Sequence, residues 1–324
     1  MEKKKWTVGV DLGGTSIKMA FIDETGAIID KWEIGTDLTD NGANITRDIA
    51  NSLDEQLQKH AHAKEEIIGI GMGAPGFINF EDGSVFEAVN IGWKNFPLKA
   101  ALEKATALPV AVDNDANLAA LGEMWKGAGE GAIDLICITL GTGVGAGVII
   151  NGQIAHGIGG MAGEIGHITA VSEGGYLCNC GRTGCLETVT SATAIKRMAL
   201  KDYQNHPESK LYAIYQDKQD VTTKDVFDAA KEEDPFALSI VDEVARYLGE
   251  ALSNVAILLN PQKIVIGGGV SLAGETLLKP VDHYIKAFTL PGVYEGLELC
   301  KATLGNDAGV IGGAWLINKQ LKRI

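Results

Sequence analysis

The chain has 324 residues, enough for two domains and a substantial core. Its 28 Lys and Arg against 42 Asp and Glu give a net charge of −14, which repels a nucleic-acid phosphate surface unless a basic patch intervenes, and none is visible beyond the lysines at 3 to 5. No apolar run approaches the roughly 20 residues of a membrane span, and the stretch after the basic Met1–Lys5 is broken at Asp11, too early for a secretory signal, so a soluble, cytoplasmic globular protein is predicted.

Three strands are predicted first: WTVGVDLG, then SIKMAFID after a tight glycine turn, then AIIDKWEI after Thr25-Gly26. A helix from about Asn44 to His60 sets Ile45, Ile49, Leu53 and Leu57 on one face. IIGIGMGAPG reads as a buried strand running into a Gly-Pro loop. After Pro97 come a helix (LKAALEKAT), the strand PVAVDN and a second helix, ANLAALGEMW. This order predicts an α/β layer with a mixed sheet. The pattern then restarts with IDLICITL, a glycine loop, GVGAGVII, the Asn151-Gly152 hairpin turn and a strand in QIAHGI. A long helix from about Phe236 to Leu259 turns Ile240, Val244, Leu248, Leu252, Val255 and Leu259 inward and stops at Asn260-Pro261, and KIVIGGG is the next strand. Internal duplication is the simplest account, with the segment from Gly157 to about Lys231 an insertion in the second half.

In DLGGTSIK the strand ends at Asp11 and turns through Gly13 and Gly14, which can take positive φ and let backbone N–H groups approach an anion, with the Thr15 hydroxyl beside them. Taken alone, the motif reads equally as a plain hairpin turn. TLGTGVGAG repeats it with Thr139, Gly141, Thr142 and Gly143. Neither is a Walker loop or a dinucleotide fingerprint, since a strand, not a helix, follows each turn. Two such hairpins facing one another suit a polyphosphate chain. Gly267, Gly268 and Gly269, between a strand and a helix starting near Ala273, clear space for a flat base.

Asp113-Asn114-Asp115-Ala116-Asn117 sits where a strand gives way to a helix. One reading of Asp115 is an N-cap. The other is a carboxylate beside phosphate loops that accepts a hydroxyl proton during phosphoryl transfer, with Asn114 orienting the same substrate. Asn90, in VNIGWKNF, is a further polar candidate or a loop turn, and Trp93 and Phe96 beside it read as core.

His167, Cys178, Cys180 and Cys185 place four zinc-type ligands inside nineteen residues. Three cysteines and a histidine close a tetrahedral shell and leave no position for a reacting water, so the metal is expected to be structural. The alternative is buried thiols or a disulfide set; the count of five cysteines is odd, and Cys137 and Cys300 sit in apolar runs. The loop would present Glu164, His167 and Glu187 to a polyhydroxylated ligand.

Together DLGGT, GAPG, DNDAN, TLGTGVG, GEIGH, CNCGRTGCLE and IVIGGGVS, in this order over nearly the whole chain, resemble the repressor, open-reading-frame and kinase (ROK) family, and most closely its bacterial ATP-dependent glucokinases. The resemblance implies the α/β actin-like ATPase (ribonuclease H-like) fold: two lobes, a duplicated mixed β-sheet core and a structural zinc loop. The expected lobes are 1–116 with about 307–324, and 117–306. It implies ATP, Mg2+ and structural Zn2+ as cofactors and transfer of the γ-phosphate to a sugar 6-hydroxyl. Asp115 would be the general base, with Asn90, Asn114, Glu164, His167 and Glu187 as sugar ligands. Asp11, Gly13, Gly14, Thr15, Lys18, Thr139, Gly141, Thr142 and Gly143 would hold phosphates, Asp11 lying near magnesium, and Gly268 and Gly269 would line the adenosine. Glucose is the expected hexose, with N-acetylmannosamine, N-acetylglucosamine, mannose or fructose as alternatives and inorganic polyphosphate as an alternative donor. A sugar-responsive repressor would carry a DNA-binding module ahead of the first loop, and only ten residues precede Asp11 here; a non-catalytic sugar sensor is the remaining alternative. A homodimer is the family expectation.

Overall fold

A computed structural model describes residues 5–60 and 64–322, so the basic residues 1–4 lie outside the described residues. The chain begins with the strands β1 (Trp6–Leu12), β2 (Ser16–Ile22) and β3 (Ile28–Gly35), the helix α1 (Ile45–Lys59) and β4 (Ile67–Ala74). Three short strands, β5 (Phe77–Asn79), β6 (Ser84–Ala88) and β7 (Trp93–Phe96), precede α2 (Leu98–Thr106), β8 (Val110–Asn114) and α3 (Asp115–Lys126). The second series opens with β9 (Leu135–Leu140), β10 (Val144–Ile150) and β11 (Gln153–Ile154). The helices α4 (Glu187–Thr190), α5 (Ala192–Asp202), α6 (Lys210–Lys218), α7 (Thr223–Lys231) and α8 (Pro235–Leu259) follow. The chain closes with β12 (Lys263–Gly267), α9 (Glu275–Phe288), α10 (Pro291–Tyr294), β13 (Glu298–Lys301) and α11 (Ala308–Gln320).

Two five-stranded sheets share one plan, β3-β2-β1-β4-β8 and β11-β10-β9-β12-β13. In the first, β1 is antiparallel to β2 and parallel to β4, which is parallel to β8. In the second, β12 runs parallel to both β9 and β13. This is the duplicated mixed sheet expected from the restarting pattern. QIAHGI forms only the two-residue strand β11, because the chain leaves the sheet at Ala155. The small sheet β5-β6-β7 has no counterpart in the predicted elements.

Contacts divide the chain into one unit of 1–131, 147–162 and 304–324 and a second of 132–146 and 163–303. The first thus takes in 117–131 and 147–162 beyond the predicted lobe, and residues 157–162 of the predicted insertion. Close backbone packing explains this. A side chain on Gly122 of α3 would meet the Ala308 carbonyl oxygen of α11 at 2.2 Å, and one on Gly312 of α11 would meet that of Leu118 at 1.8 Å. Gly147 lies against Ala120 and Ala116 of α3 in the same way.

Within the first unit, Ile45, Ile49, Leu53 and Leu57 of α1 are buried, as their spacing predicts, in a core with Val8, Val10, Met72 and Val110 of the sheet. On the other face α11 lies directly on the strands, since the cross-strand partners Gly9 and Gly71 offer no side chain to hold it away. Within the second unit, α8 is started by Asp234, whose carboxylate accepts the Ala237 N–H at 2.9 Å, and ended by Asn260 in the left-handed region. Ile240, Val244, Leu248, Leu252 and Val255 are buried as expected, whereas Leu259 is half-exposed because the last turn passes the edge of the packed face.

Candidate functional site

The first unit carries two groups of candidate residues at the same strand ends. Asp11 of β1 is paired in register with Gly73 of β4, and Gly73 with Asp113 of β8. The glycine hairpin and the DNDAN turn therefore lie one strand apart, at the carboxyl ends of parallel strands where open α/β sheets place ligands.

In the hairpin, Gly13 N–H donates to the Ser16 carbonyl at 2.9 Å, and the Thr36 hydroxyl donates to the Gly13 carbonyl at 2.8 Å. Positive φ is not what the glycines supply: neither Gly13 nor Gly14, nor Gly141 or Gly143 in the second loop, adopts it. Gly14 and Gly141 face open space, so absence of a side chain leaves room for a ligand against the backbone. Thr15 is exposed. Lys18, the register partner of Asp11, holds its Nζ 3.9 Å from the Asp11 carboxylate. Burial raises the Asp11 carboxyl above the usual range, with Lys18 acting in the opposite sense. Gly309 of α11 makes room for that carboxylate, since a side chain there would meet it at 2.8 Å.

At the second turn Asn114 is the N-cap of α3. Its Oδ1 accepts the Ala116 N–H at 2.9 Å, and its Nδ2 donates to the Gly76 carbonyl at 3.1 Å. Gly76 closes the GAPG loop at φ 93°, a conformation that favours glycine. The cap need of the turn is met by Asn114, so the capping reading of Asp115 falls away. Asp115 opens α3, half-buried, its carboxylate accepting the Ala116 N–H at 2.8 Å. Asn90 stands exposed in the turn between β6 and β7, while Trp93 is buried and stacks on Phe96 with centroids 4.4 Å apart, as core. Asp113, absent from the predicted site, is buried and bonded to Asn117 Nδ2 at 2.8 Å and His156 Nε2 at 2.7 Å. No local signal could have paired residues 43 apart.

The second unit carries the other candidates. Thr139 at the end of β9 is paired in register with Gly267 of β12, so the loop Gly141–Gly143 and the run Gly268–Gly269 emerge side by side. Gly268 has φ 78° and lies against the Leu140 backbone, where a side chain would meet the carbonyl oxygen at 2.4 Å. Gly143 admits Glu187: a side chain on Gly143 would strike Glu187 Oε2 at 2.3 Å, and this oxygen accepts the Val144 N–H at 2.9 Å. The loop is tied further by Ala192 N–H to the Gly141 carbonyl at 2.8 Å and by the Thr193 hydroxyl to the Thr142 carbonyl at 2.9 Å.

His167, Cys178, Cys180 and Cys185 bring their ligand atoms within 4.8 Å of one another. The Cys180 and Cys185 sulfurs are 3.6 Å apart, and Cys178 Sγ is 3.6 Å from His167 Nδ1. Ligands about 2.3 Å from a tetrahedral zinc lie at about this mutual distance, so the donor set fits a closed structural zinc site. Burial pushes the Cys178 thiol up to about 12 and raises Cys185, while a backbone hydrogen bond from Arg182 lowers exposed Cys180. Such thiols ionise when a cation replaces their protons. With Nδ1 turned to the cysteines, His167 directs Nε2 to Glu164, 3.8 Å away. Burial raises the Glu164 carboxyl, and the neighbouring Glu187 raises it further against the opposing effect of His167. Glu164, Glu187 and His167 thus form one polar cluster held by the cysteine loop.

The sequence pattern of the ROK family matches residues 7–320. A glucokinase from Halalkalibacterium halodurans is 60% identical over 316 residues, covering 98% of this chain and 96% of that protein. A ROK family glucokinase from Streptomyces griseus, solved in complex with glucose and AMPPNP, is 36% identical with a TM-score of 0.79, covering 97% of this chain and 99% of that one. A ROK hexokinase from Thermus thermophilus is 32% identical with a TM-score of 0.80, covering 98% and 99%.

Proposed function

The chain belongs to the ROK family, and we propose that it transfers the γ-phosphate of ATP to the 6-hydroxyl of D-glucose. The observation that carries this reading is the row Asp11–Gly73–Asp113, which sets a bare glycine hairpin and a carboxylate-bearing turn at the same strand ends. The likeness to glucokinases, one of them solved with glucose and AMPPNP, favours this sugar and this donor.

In this reading Asp115 accepts the proton of the 6-hydroxyl as its oxygen bonds to the γ-phosphorus. The bond from that phosphorus to the β–γ bridging oxygen breaks, and ADP leaves with the electron pair. Glu164, Glu187 and His167 Nε2 hold sugar hydroxyls, with Asn90 and Asn114 as further ligands. The hairpin Gly13–Thr15 with Lys18, and Thr139 with the loop Gly141–Gly143, hold phosphates through hydroxyls and the backbone N–H groups left over once Gly13 donates to Ser16 and Gly141 to Gly143, and Gly269, where a side chain would stand in open space, leaves the adenosine room beside Gly268. Mg2+ bound with the nucleotide would supply charge neutralisation, and Asp11 would be the carboxylate to meet it or its water shell. Zn2+ on His167 and the three cysteines is structural. Assembly as a homodimer in the cytoplasm completes the reading; among the described residues no helix is long and apolar enough to cross a membrane.

ADP release from Mg-ATP, measured with glucose, mannose, fructose, N-acetylglucosamine and N-acetylmannosamine, tests the substrate. A kcat/KM for glucose at least about tenfold above every other sugar is expected, the discrimination that about 1.4 kcal/mol of pocket contacts provides. Preference for another hexose contradicts it.

A further inference from the structure

Two residues before Asp115 lies a buried carboxylate to which the proposed function gives no part. Asp113 is 3% exposed. Its Oδ1 accepts the Asn114 N–H at 2.7 Å and Asn117 Nδ2 at 2.8 Å, and its Oδ2 faces His156 Nε2 at 2.7 Å. Three chain segments therefore meet on one carboxylate: the end of β8, the first turn of α3, and the loop after β11. Opposite a buried carboxylate, Nε2 is the protonated nitrogen, since a carboxylate can only accept. The plane of the imidazole is fixed as well, because its ring stacks on Phe80 with centroids 4.7 Å apart and 11° between planes.

We propose that His156 is a positioning residue for Asp115, acting through Asp113. This rests on the reading of Asp115 as the base. Asp115 belongs to the turn that Asp113 organises from both sides, at Asn114 N–H before it and at Asn117 after it. With His156 in place both carboxylate oxygens are engaged and the group has one orientation. Without it Oδ2 loses a charge-assisted bond in a buried place. The carboxylate then rotates toward other donors and releases Asn114 or Asn117, and the first turn of α3 shifts. A misplacement of about 1 Å at a reacting group costs on the order of a hundredfold in rate, so a fraction of that shift is enough to register. Of the proposed sugar ligands only Asn114 lies in this turn, so sugar affinity, carried mainly by Glu164, Glu187 and His167, changes little while the rate falls.

The test compares His156→Phe and His156→Gln with wild type and with Asp115→Asn. His156→Phe keeps a ring against Phe80 and removes the donor. It should lower kcat at least about tenfold, the range for losing the partner that orients a functional group, with glucose KM and calorimetric glucose affinity changed by less than about twofold. His156→Gln restores an N–H and should recover most of the lost rate. If His156→Phe does not accumulate folded, His156→Asn, too short to span to Asp113 from the same backbone, should show the same selective loss of kcat. An unchanged kcat in the variant lacking the donor, or a loss matched by equal weakening of glucose affinity, overturns the positioning role. Wild type active and Asp115→Asn inactive, with His156→Phe as fast as wild type, overturns this proposal alone. A wild type with no glucose turnover, or an Asp115→Asn as fast as wild type, overturns the reading of the base and this proposal with it.

Discussion

Asn114 and Asp115 are neighbours of similar size and both favour helix caps, yet backbone geometry separates their duties: Asn114 takes the cap and Asp115 begins the helix. Glu164 shows another division, between function and stability. Its carboxyl is raised by burial and by Glu187, so ionisation is harder in the folded chain than in the unfolded one. By linkage, the cost to folding is absent below the ordinary glutamate value of 4.5 and present in full above the raised value. The side chain is 45% exposed, so water screens most of this cost; Glu164→Gln should raise Tm only slightly at pH 7 to 8, and the gain should close as pH falls below the ordinary value, which thermal melts across that range check. A lower Tm at neutral pH would show that the charge at Glu164 is stabilising. Activity should fall in the same variant, the usual exchange where a site holds strained charge.

Among the elements, the loop from His167 to Glu187 and the helix α11 show what sequence does and does not reveal. The four metal ligands were legible because zinc chemistry restricts residue types, and their convergence follows from the short spacing. If zinc holds the loop, Cys180→Ser should remove it from purified protein and weaken glucose affinity about tenfold through His167 and Glu187, measured by metal analysis and calorimetry. Zinc-free wild-type protein with full glucose affinity would contradict this. Only the resemblance grouped about 307–324 with the first lobe; nothing in the residues of α11 itself reveals how it packs, since its contacts join distant segments. Gly71 has no local reason to be glycine, but a side chain there would meet the Gly313 carbonyl oxygen at 1.8 Å. Gly71→Ala should cost at least about 3 kcal/mol, the upper range for overpacking where the obstacle is backbone, read as a lower urea midpoint; a midpoint within error of wild type would mean that α11 moves aside freely. The strands β5, β6 and β7 were missed for a different reason: at three to five residues each they are too short for alternation to show.

At the scale of the whole molecule, repetition of one supersecondary plan organises both units. Apolar runs bounded by turn signals and helical patterning made the strands and helices readable, and the repeated glycine device in DLGGT and TLGTG revealed the duplication that the two sheet orders bear out. Residue patterning does not report which segments pack together, and residues 117–131 and 147–162 join the first unit through glycine contacts with no local signature. In this ROK family chain Asp115 is proposed as the base of glucose phosphorylation. The most direct test of that role is the kcat of Asp115→Asn for glucose with Mg-ATP, alongside calorimetric glucose binding by the same variant. A fall of at least about a hundredfold with glucose affinity nearly unchanged is expected for loss of a positioned base; turnover near the wild-type rate would remove Asp115 from the mechanism.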